Sequence, residues 1–249
     1  MVKRPWCTGR PGRAVCAALS VALAGWAALA WLALHMDSDI AAWTMPSGPD
    51  WDALNLLAVA AMWAVMMAAM MLPSALPMIR TFADIGARRG AAGHARAFVG
   101  GYLLVWLAFS VAATAAQWLL QAAGWTDPMA VSNSKPLTAA LLLVAGLYQF
   151  TPLKRLCLRG CRSPIGFIVG AWRPGARGAW AMGWRHGLQC LGCCWALMAL
   201  LFAGGTMNPA WVAALALAVA IEKLAPGGER IAALLGVLLV GGAAWQLLR

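Results

Sequence analysis

Seven apolar runs divide this sequence and leave few folds open to it. They lie at residues 15–35, 53–76, 97–123, 136–151, 179–203, 209–225 and 230–248. A helix needs about 20 apolar residues to cross the ~30 Å hydrocarbon core of a bilayer. The fourth and sixth runs are short, so we predict seven spanning helices, with six as the alternative. Only 11% of the residues are charged, against about a quarter in a soluble domain. We therefore predict an all-α polytopic transmembrane bundle.

The basic residues gather in alternate loops between these runs. With the N-terminus inside, seventeen of the nineteen lysines and arginines face the cytoplasm, and only Lys135 and Arg249 do not. Cytoplasmic loops carry such an excess of basic residues. We therefore predict a basic cytoplasmic segment at 1–14 and a single transmembrane domain at 15–249 in a bacterial inner membrane. The net charge of +11 then serves orientation and contact with the lipid bilayer, and we predict no nucleic-acid binding.

One predicted spanning helix carries a cluster of soft metal ligands. It contains the segment RHGLQCLGCCW, whose ligand-type residues are His186, Cys190, Cys193 and Cys194. At about 100° per residue, the three cysteines lie at roughly +40°, −20° and +80° from the histidine, so all four share one face. Imidazole and thiolate select Cu(I), zinc or iron over hard cations. Ionisable residues inside a membrane usually mark function, so we predict a buried metal or thiol site.

A second set of soft ligands lies in the apolar run at 53–76. Met66 and Met70 are four residues apart, in line with Met62, and therefore stack on one helix face. Thioethers favour Cu(I), yet methionine also fills gaps in apolar cores. Taken alone, the stripe favours packing over ligation. Its predicted depth overlaps that of the cysteines, but one sequence does not reveal whether the two helices are neighbours.

The predicted cytoplasmic stretch after the fourth run holds Cys157 and Cys161, four residues apart among basic residues. A helix would place both sulfurs on one face, and nearby cations raise the thiolate population. We predict that this pair receives a soft metal from a cytosolic donor, with ordinary surface cysteines as the alternative. Glu222 ends the sixth run. It is predicted either as a carboxylate of the site or as the partner of Lys223.

The number and placement of the cysteines bear on their role. The chain has seven, an odd number, and none lies in a predicted external loop. Structural disulfides are rare in the cytoplasm. We therefore predict metal binding, redox chemistry or plain packing for the cysteines rather than disulfide staples.

Several motifs in one order resemble a bacterial family. They read W-x-x-M-M-x-x-M-M-x-P, P-x-K-x-x-C-x-x-x-C-x-x-P, G-x-x-C-x-G-C-C-W, G-x-M-N-x-x-W and E-K. The residues that carry them are Trp63, Met66, Met67, Met70, Met71, Pro73, Pro152, Lys154, Cys157, Cys161, Pro164, Gly187, Cys190, Gly192, Cys193, Cys194, Met207, Asn208, Trp211, Glu222 and Lys223. Over roughly 53–225 the chain is similar to a domain of unknown function described as predicted metal-binding integral membrane proteins. The resemblance implies a metal site and no particular reaction.

These patterns favour a membrane protein that binds a soft transition metal, with copper first and zinc or iron as alternatives. The predicted ligands are His186, Cys190 and Cys193, then Cys194 and Met66 or Met70, with Glu222 as a further candidate and Cys157 and Cys161 as the acceptor pair. The partner would be a protein that donates or accepts the metal. Two other classes stay open at this point. One is a membrane redox protein with a metal, haem or C-x-x-C dithiol centre, and the other is an assembly subunit in which these residues only pack.

Overall fold

The computed structural model describes residues 9–48, 50–89 and 92–248, and within those ranges it contains helices and no β-strand. The helices are α1 (Gly9–Leu34), α2 (Asp39–Thr44), α3 (Ala53–Arg88), α4 (Ala95–Ala122), α5 (Lys135–Tyr148), α6 (Pro152–Arg162), α7 (Pro164–Ala171), α8 (Gly175–Ala199), α9 (Leu201–Gly204), α10 (Pro209–Leu224) and α11 (Gly228–Leu248). The predicted all-α bundle is confirmed.

Five stretches of the described chain are long and apolar enough to cross a membrane. They are Gly12–Leu34, Ala53–Arg88, Ala95–Ala122, Gly175–Gly204 and Gly228–Leu248. A sixth is reached if α5 and α6, which meet at a bend of 65°, count as one span. The one predicted span left over is the sixth run, which forms α10; this helix has 16 residues and is short of the about 20 that a bilayer core requires.

Two helix boundaries differ from the apolar runs for local reasons. The run at 136–151 breaks after Tyr148, because the hydroxyl of Thr151 caps a new helix whose first residue is Pro152. Proline suits the first helical position, where its missing N–H is not needed. The predicted 53–76 helix instead continues to Arg88, with two prolines inside it. As predicted, Pro209 begins α10, capped by Asn208.

Helices α4 and α8 pack along each other in the centre of the bundle, and glycines permit their close approach. A Cβ atom on Gly101 of α4 would overlap the carbonyl oxygen of Trp180 on α8. A Cβ atom on Gly183 of α8 would overlap the carbonyl oxygen of Phe98 on α4. Small residues are a general means of bringing helix backbones together. The two glycines therefore set the distance between the helices that carry much of the site.

We expect Gly101→Ala to destabilise the bundle by about 1–3 kcal/mol, the usual cost of overpacking a well-filled core. Gly100→Ala is the matched control, since a Cβ atom there would meet nothing within 4 Å. Both changes give the helix the same propensity gain. Denaturant titration of the detergent-solubilised protein measures the difference. Equal stability of the two variants would contradict the close contact.

The described core is unusually rich in sulfur. Met66, Met67, Met70 and Met71 of α3 are all buried, as are the three cysteines of α8. Helix α3 contacts α4 and α10, and α8 contacts α4, α6 and α10. The methionine-bearing α3 and the cysteine-bearing α8 therefore share two neighbours, α4 and α10.

One cysteine departs from the sequence prediction. Cys16 of α1 is disulfide-bonded, so the expectation that no cysteine forms a disulfide is wrong for this residue. That expectation rested on the reducing potential of the compartment. The compartment alone does not decide whether two thiols lie within bonding distance.

Candidate metal centre

Three thiols of α8 form the base of the candidate site. Cys190, Cys193 and Cys194 are each at most 1% exposed, and they lie within two turns of one helix. The Cys194 thiol donates to the backbone carbonyl of Cys190 at 3.1 Å, a bond that holds it close to its own helix. The Cys190 and Cys193 thiols make no such bond to a carbonyl of their own helix in the described structure.

Helix α6 adds a fourth thiol to this group. The Cys161 side chain lies near the thiols of both Cys190 and Cys193. The stretch at 152–162 is helical, so Cys157 lies one turn before Cys161 on the same face, as expected for a helix. Cysteines that are about 30 residues apart in the sequence therefore meet in one cluster, and we call Cys161, Cys190, Cys193 and Cys194 the thiol cluster.

Cys157 connects the thiol cluster with the outside of the bundle. A Cβ atom on Gly192 would come within 2.8 Å of the Cys157 sulfur. Cys157 and Cys161 are partly exposed, whereas the α8 cysteines are buried. The hydroxyl of Tyr148 donates to the carbonyl of Gly192, so α5 also contacts this point of α8. The absence of a side chain at Gly192 lets α6 dock against the cysteines.

Lys223 of α10 enters the thiol cluster, a position that was not predicted from the sequence. Its Nζ atom lies 3.0 Å from the Cys190 sulfur and 3.9 Å from the Cys194 sulfur. It also donates to the hydroxyl of Ser74 on α3 at 3.3 Å. The lysine is 6% exposed. The sequence feature that could have revealed this position is a lysine in the last turn of an apolar helix.

Two further side chains contact the thiol cluster, Tyr102 from α4 and Met71 from α3. The Tyr102 hydroxyl lies 3.2 Å from the Cys190 sulfur and donates to the carbonyl of Met71 at 3.2 Å. The Met71 thioether lies 3.9 Å from the Cys194 thiol. Met66 and Met70, the predicted thioether ligands, are buried in the core. The thioether found against a thiol is the flanking Met71 instead.

Glu222 is buried, and its ion-pair partner is not Lys223, which was one of the two alternatives that the sequence left open. Its carboxylate accepts from Lys154 of α6 at 2.6 Å, and both side chains are at most 1% exposed. The predicted pairing with Lys223 is wrong, because consecutive residues of a helix point in directions about 100° apart. Arg162 donates to the backbone carbonyl of Glu222 at 2.7 Å. The ion pair thus fastens α6, with its two cysteines, to the end of α10.

His186 lies one turn before Cys190 and is 2% exposed. Its ring centroid is 5.5 Å from that of Tyr102, 6.0 Å from Phe98 and 5.7 Å from Phe167. Its Nδ1 atom is buried and finds no hydrogen-bond partner within the described residues. The imidazole is held by aromatic rings, with one nitrogen unused.

The donor set of the site suits some metals better than others. Among the residues described, no three His, Cys, Asp or Glu side chains are arranged to hold a metal ion. Structural zinc sites use four such ligands. Thiolate and thioether sulfur select Cu(I), and two thiolates bind this ion adequately. The donor atoms gathered here are therefore of the kind that suits soft metal ions.

Comparison with known proteins adds one finding. A family model described as PpoB2, copper chaperone, matches residues 60–246. The match covers most of the chain, including α8, α10 and the whole thiol cluster. No curated protein and no solved structure is significantly similar to the chain. The metal-related part of the sequence resemblance is thereby supported.

Proposed function

Because the chain belongs to the PpoB2 family of copper chaperones, we propose that it binds Cu(I) within its helix bundle as cargo and passes it to another protein. The observation that carries this proposal is the meeting of α6 and α8. It joins partly exposed thiols to buried thiols. A chaperone needs both a site that shields its metal and a path by which the metal leaves.

We assign the protein to the bacterial inner membrane, with its N-terminus in the cytoplasm. The outer surface of α11 supports this: Leu234, Val237 and Leu238 are between 62% and 71% exposed. Contiguous apolar surface of this kind is covered by lipid or by another protein. The distribution of basic residues supports the orientation. It puts α6 and the end of α10 at the cytoplasmic side.

The proposed ligands are the thiols of Cys190 and Cys193, and Cys161 is the sulfur that passes the ion to this pair. Cys194 and Met71 lie beside them, 3.9 Å from each other. His186 is the proposed nitrogen donor, since its buried Nδ1 has no other partner in the described structure. Glu222 is not part of this ligand set, because its carboxylate is engaged by Lys154.

The proposed route for the metal runs along α6. Cys157 and Cys161 are one turn apart and partly exposed, and Cys161 also interacts with the buried pair. Cu(I) would pass from a cytosolic donor to Cys157, then to Cys161, then to Cys190 and Cys193. At each step one sulfur joins the ion before another leaves, so the metal is not released into water.

We expect Cys157→Ser to slow the exchange of copper about tenfold while leaving the amount bound at equilibrium unchanged. The reason is that the first acceptor is lost while the buried pair is kept. Stopped-flow transfer of Cu(I) from a small thiol chelate, under anaerobic conditions, measures the rate. Leu156→Ser is the control on the same helix, because that side chain is 67% exposed and lies outside the thiol cluster. Unchanged transfer in Cys157→Ser would contradict this route.

A further inference from the structure

Lys223 is a buried cation without a carboxylate partner. The three ion pairs in the described structure are Arg80–Asp84, Lys154–Glu222 and Arg159–Glu229, and Lys223 is in none of them. Its ammonium group contacts sulfur and one hydroxyl. A buried charge is stable only when a group of opposite charge or several hydrogen bonds compensate it. Among the described acidic groups, the thiols of Cys190 and Cys194 are the ones in direct contact with the ammonium group.

The neighbouring buried cation differs in this respect. Lys154 contacts Glu222 at 2.6 Å, so this pair is neutral as a whole and adds no net charge to the cluster. Of the two lysines, only Lys223 therefore adds a net positive charge to the site.

We propose that Lys223 is the counter-charge of the thiol cluster and makes the site selective for monovalent soft cations over divalent ones. This inference rests on the proposed function. Two thiolates that hold Cu(I) carry one net negative charge, which the ammonium group of Lys223 cancels. The same two thiolates with a divalent ion are already neutral, and the lysine then leaves one positive charge uncompensated. A net buried charge is costly at low dielectric.

The ligand count supports two thiolates rather than three. Among the described residues no group of three His, Cys, Asp or Glu side chains could hold a metal ion as it stands, so the charge count uses the pair Cys190 and Cys193 alone. The Nζ atom is closest to Cys190, at 3.0 Å, and Cys190 is a member of the proposed pair. Lys223 thus acts on the charge of the site and is not itself a ligand.

The test compares ions that share softness and differ in charge. Ag(I) and Cd(II) both bind thiolate, and their affinities for the full-length protein in detergent are measured by competition with a chelator. In Lys223→Met we expect Ag(I) and Cu(I) to bind about 100-fold more weakly, while Cd(II) binds as well as before or better. Lys223→Arg keeps the charge, so we expect it to recover the preference to within about tenfold. The double variant Lys154→Met/Glu222→Gln removes a neutral pair and should leave the preference unchanged.

An equal loss of affinity for Ag(I) and Cd(II), or no change in either affinity, would overturn the charge argument. If Lys223→Met does not fold, as judged by circular dichroism, Lys223→Gln provides the neutral variant with a polar end group. Failure of the wild-type protein to bind Cu(I) or Ag(I) would refute the proposed function itself, and this is seen before any lysine variant is made.

Discussion

Replacing Cys190 and Cys193 together by serine is expected to remove nearly all copper from the purified protein. Both thiols are fully buried, and they are the two that Cys161 meets. Serine keeps the size of the side chain but offers a hydroxyl, which is a poor ligand for Cu(I) compared with thiolate. Elemental analysis of protein purified anaerobically from copper-supplied cells should give about one copper per chain in the wild type and almost none in the variant.

The control for this experiment is a Met66→Leu/Met70→Leu variant. Its methionines are buried, but the thioether that contacts a thiol belongs to Met71, so we expect it to retain copper. Loss of all copper from the methionine variant, with the cysteine variant unaffected, would reverse the ranking of the ligands. If the same samples contained zinc or iron in place of copper, the proposed metal site would stand, but the metal that it carries would not be copper.

The second large effect is expected at the ion pair between α6 and α10. Lys154→Met leaves the carboxylate of Glu222 buried without its partner, and breaking a buried pair in this way costs about 3–5 kcal/mol. Lys154 donates to Oε2 of Glu222, and the Oε1 atom has no hydrogen-bond partner in the described structure, so the carboxylate loses its hydrogen bond when the lysine is removed. Denaturant titration in detergent should show this loss in the free energy of unfolding.

The double variant Lys154→Met/Glu222→Gln should recover much of this stability, because it removes both charges. Arg159→Met is the matched control on α6, since Arg159 and Glu229 form an ion pair at the exposed surface and such pairs contribute little. A Lys154→Met protein as stable as the wild type would mean that the pair does not fasten α6 to α10.

Helical periodicity was enough to predict the face of α8. Cys190, Cys193, Cys194 and His186 are all buried, as a single helix face directed inward requires. The start of α10 at Pro209 also followed from local signals. These predictions succeeded because each depends on residues that are near one another in the sequence.

Contacts between helices were not predictable in the same way. Lys223 contacts Cys190, 33 residues away, and Lys154 contacts Glu222, 68 residues away. The sequence could not tell which of two adjacent charged residues faces which neighbour. It likewise favoured Met66 and Met70 by their spacing, whereas the approach of α8 to α3 selects Met71. These contacts depend on how neighbouring helices are arranged, and the periodicity of a single helix carries no information about that arrangement.

The most direct test of the central claim is X-ray absorption at the copper edge on the copper-loaded protein in detergent. Our account predicts that sulfur dominates the first coordination sphere and that sulfur is lost in the Cys190→Ser/Cys193→Ser variant. His186→Ala, compared in the same way, reports whether the imidazole contributes a nitrogen. A copper centre with only nitrogen and oxygen ligands in the wild type, unchanged by the cysteine substitutions, would contradict the account.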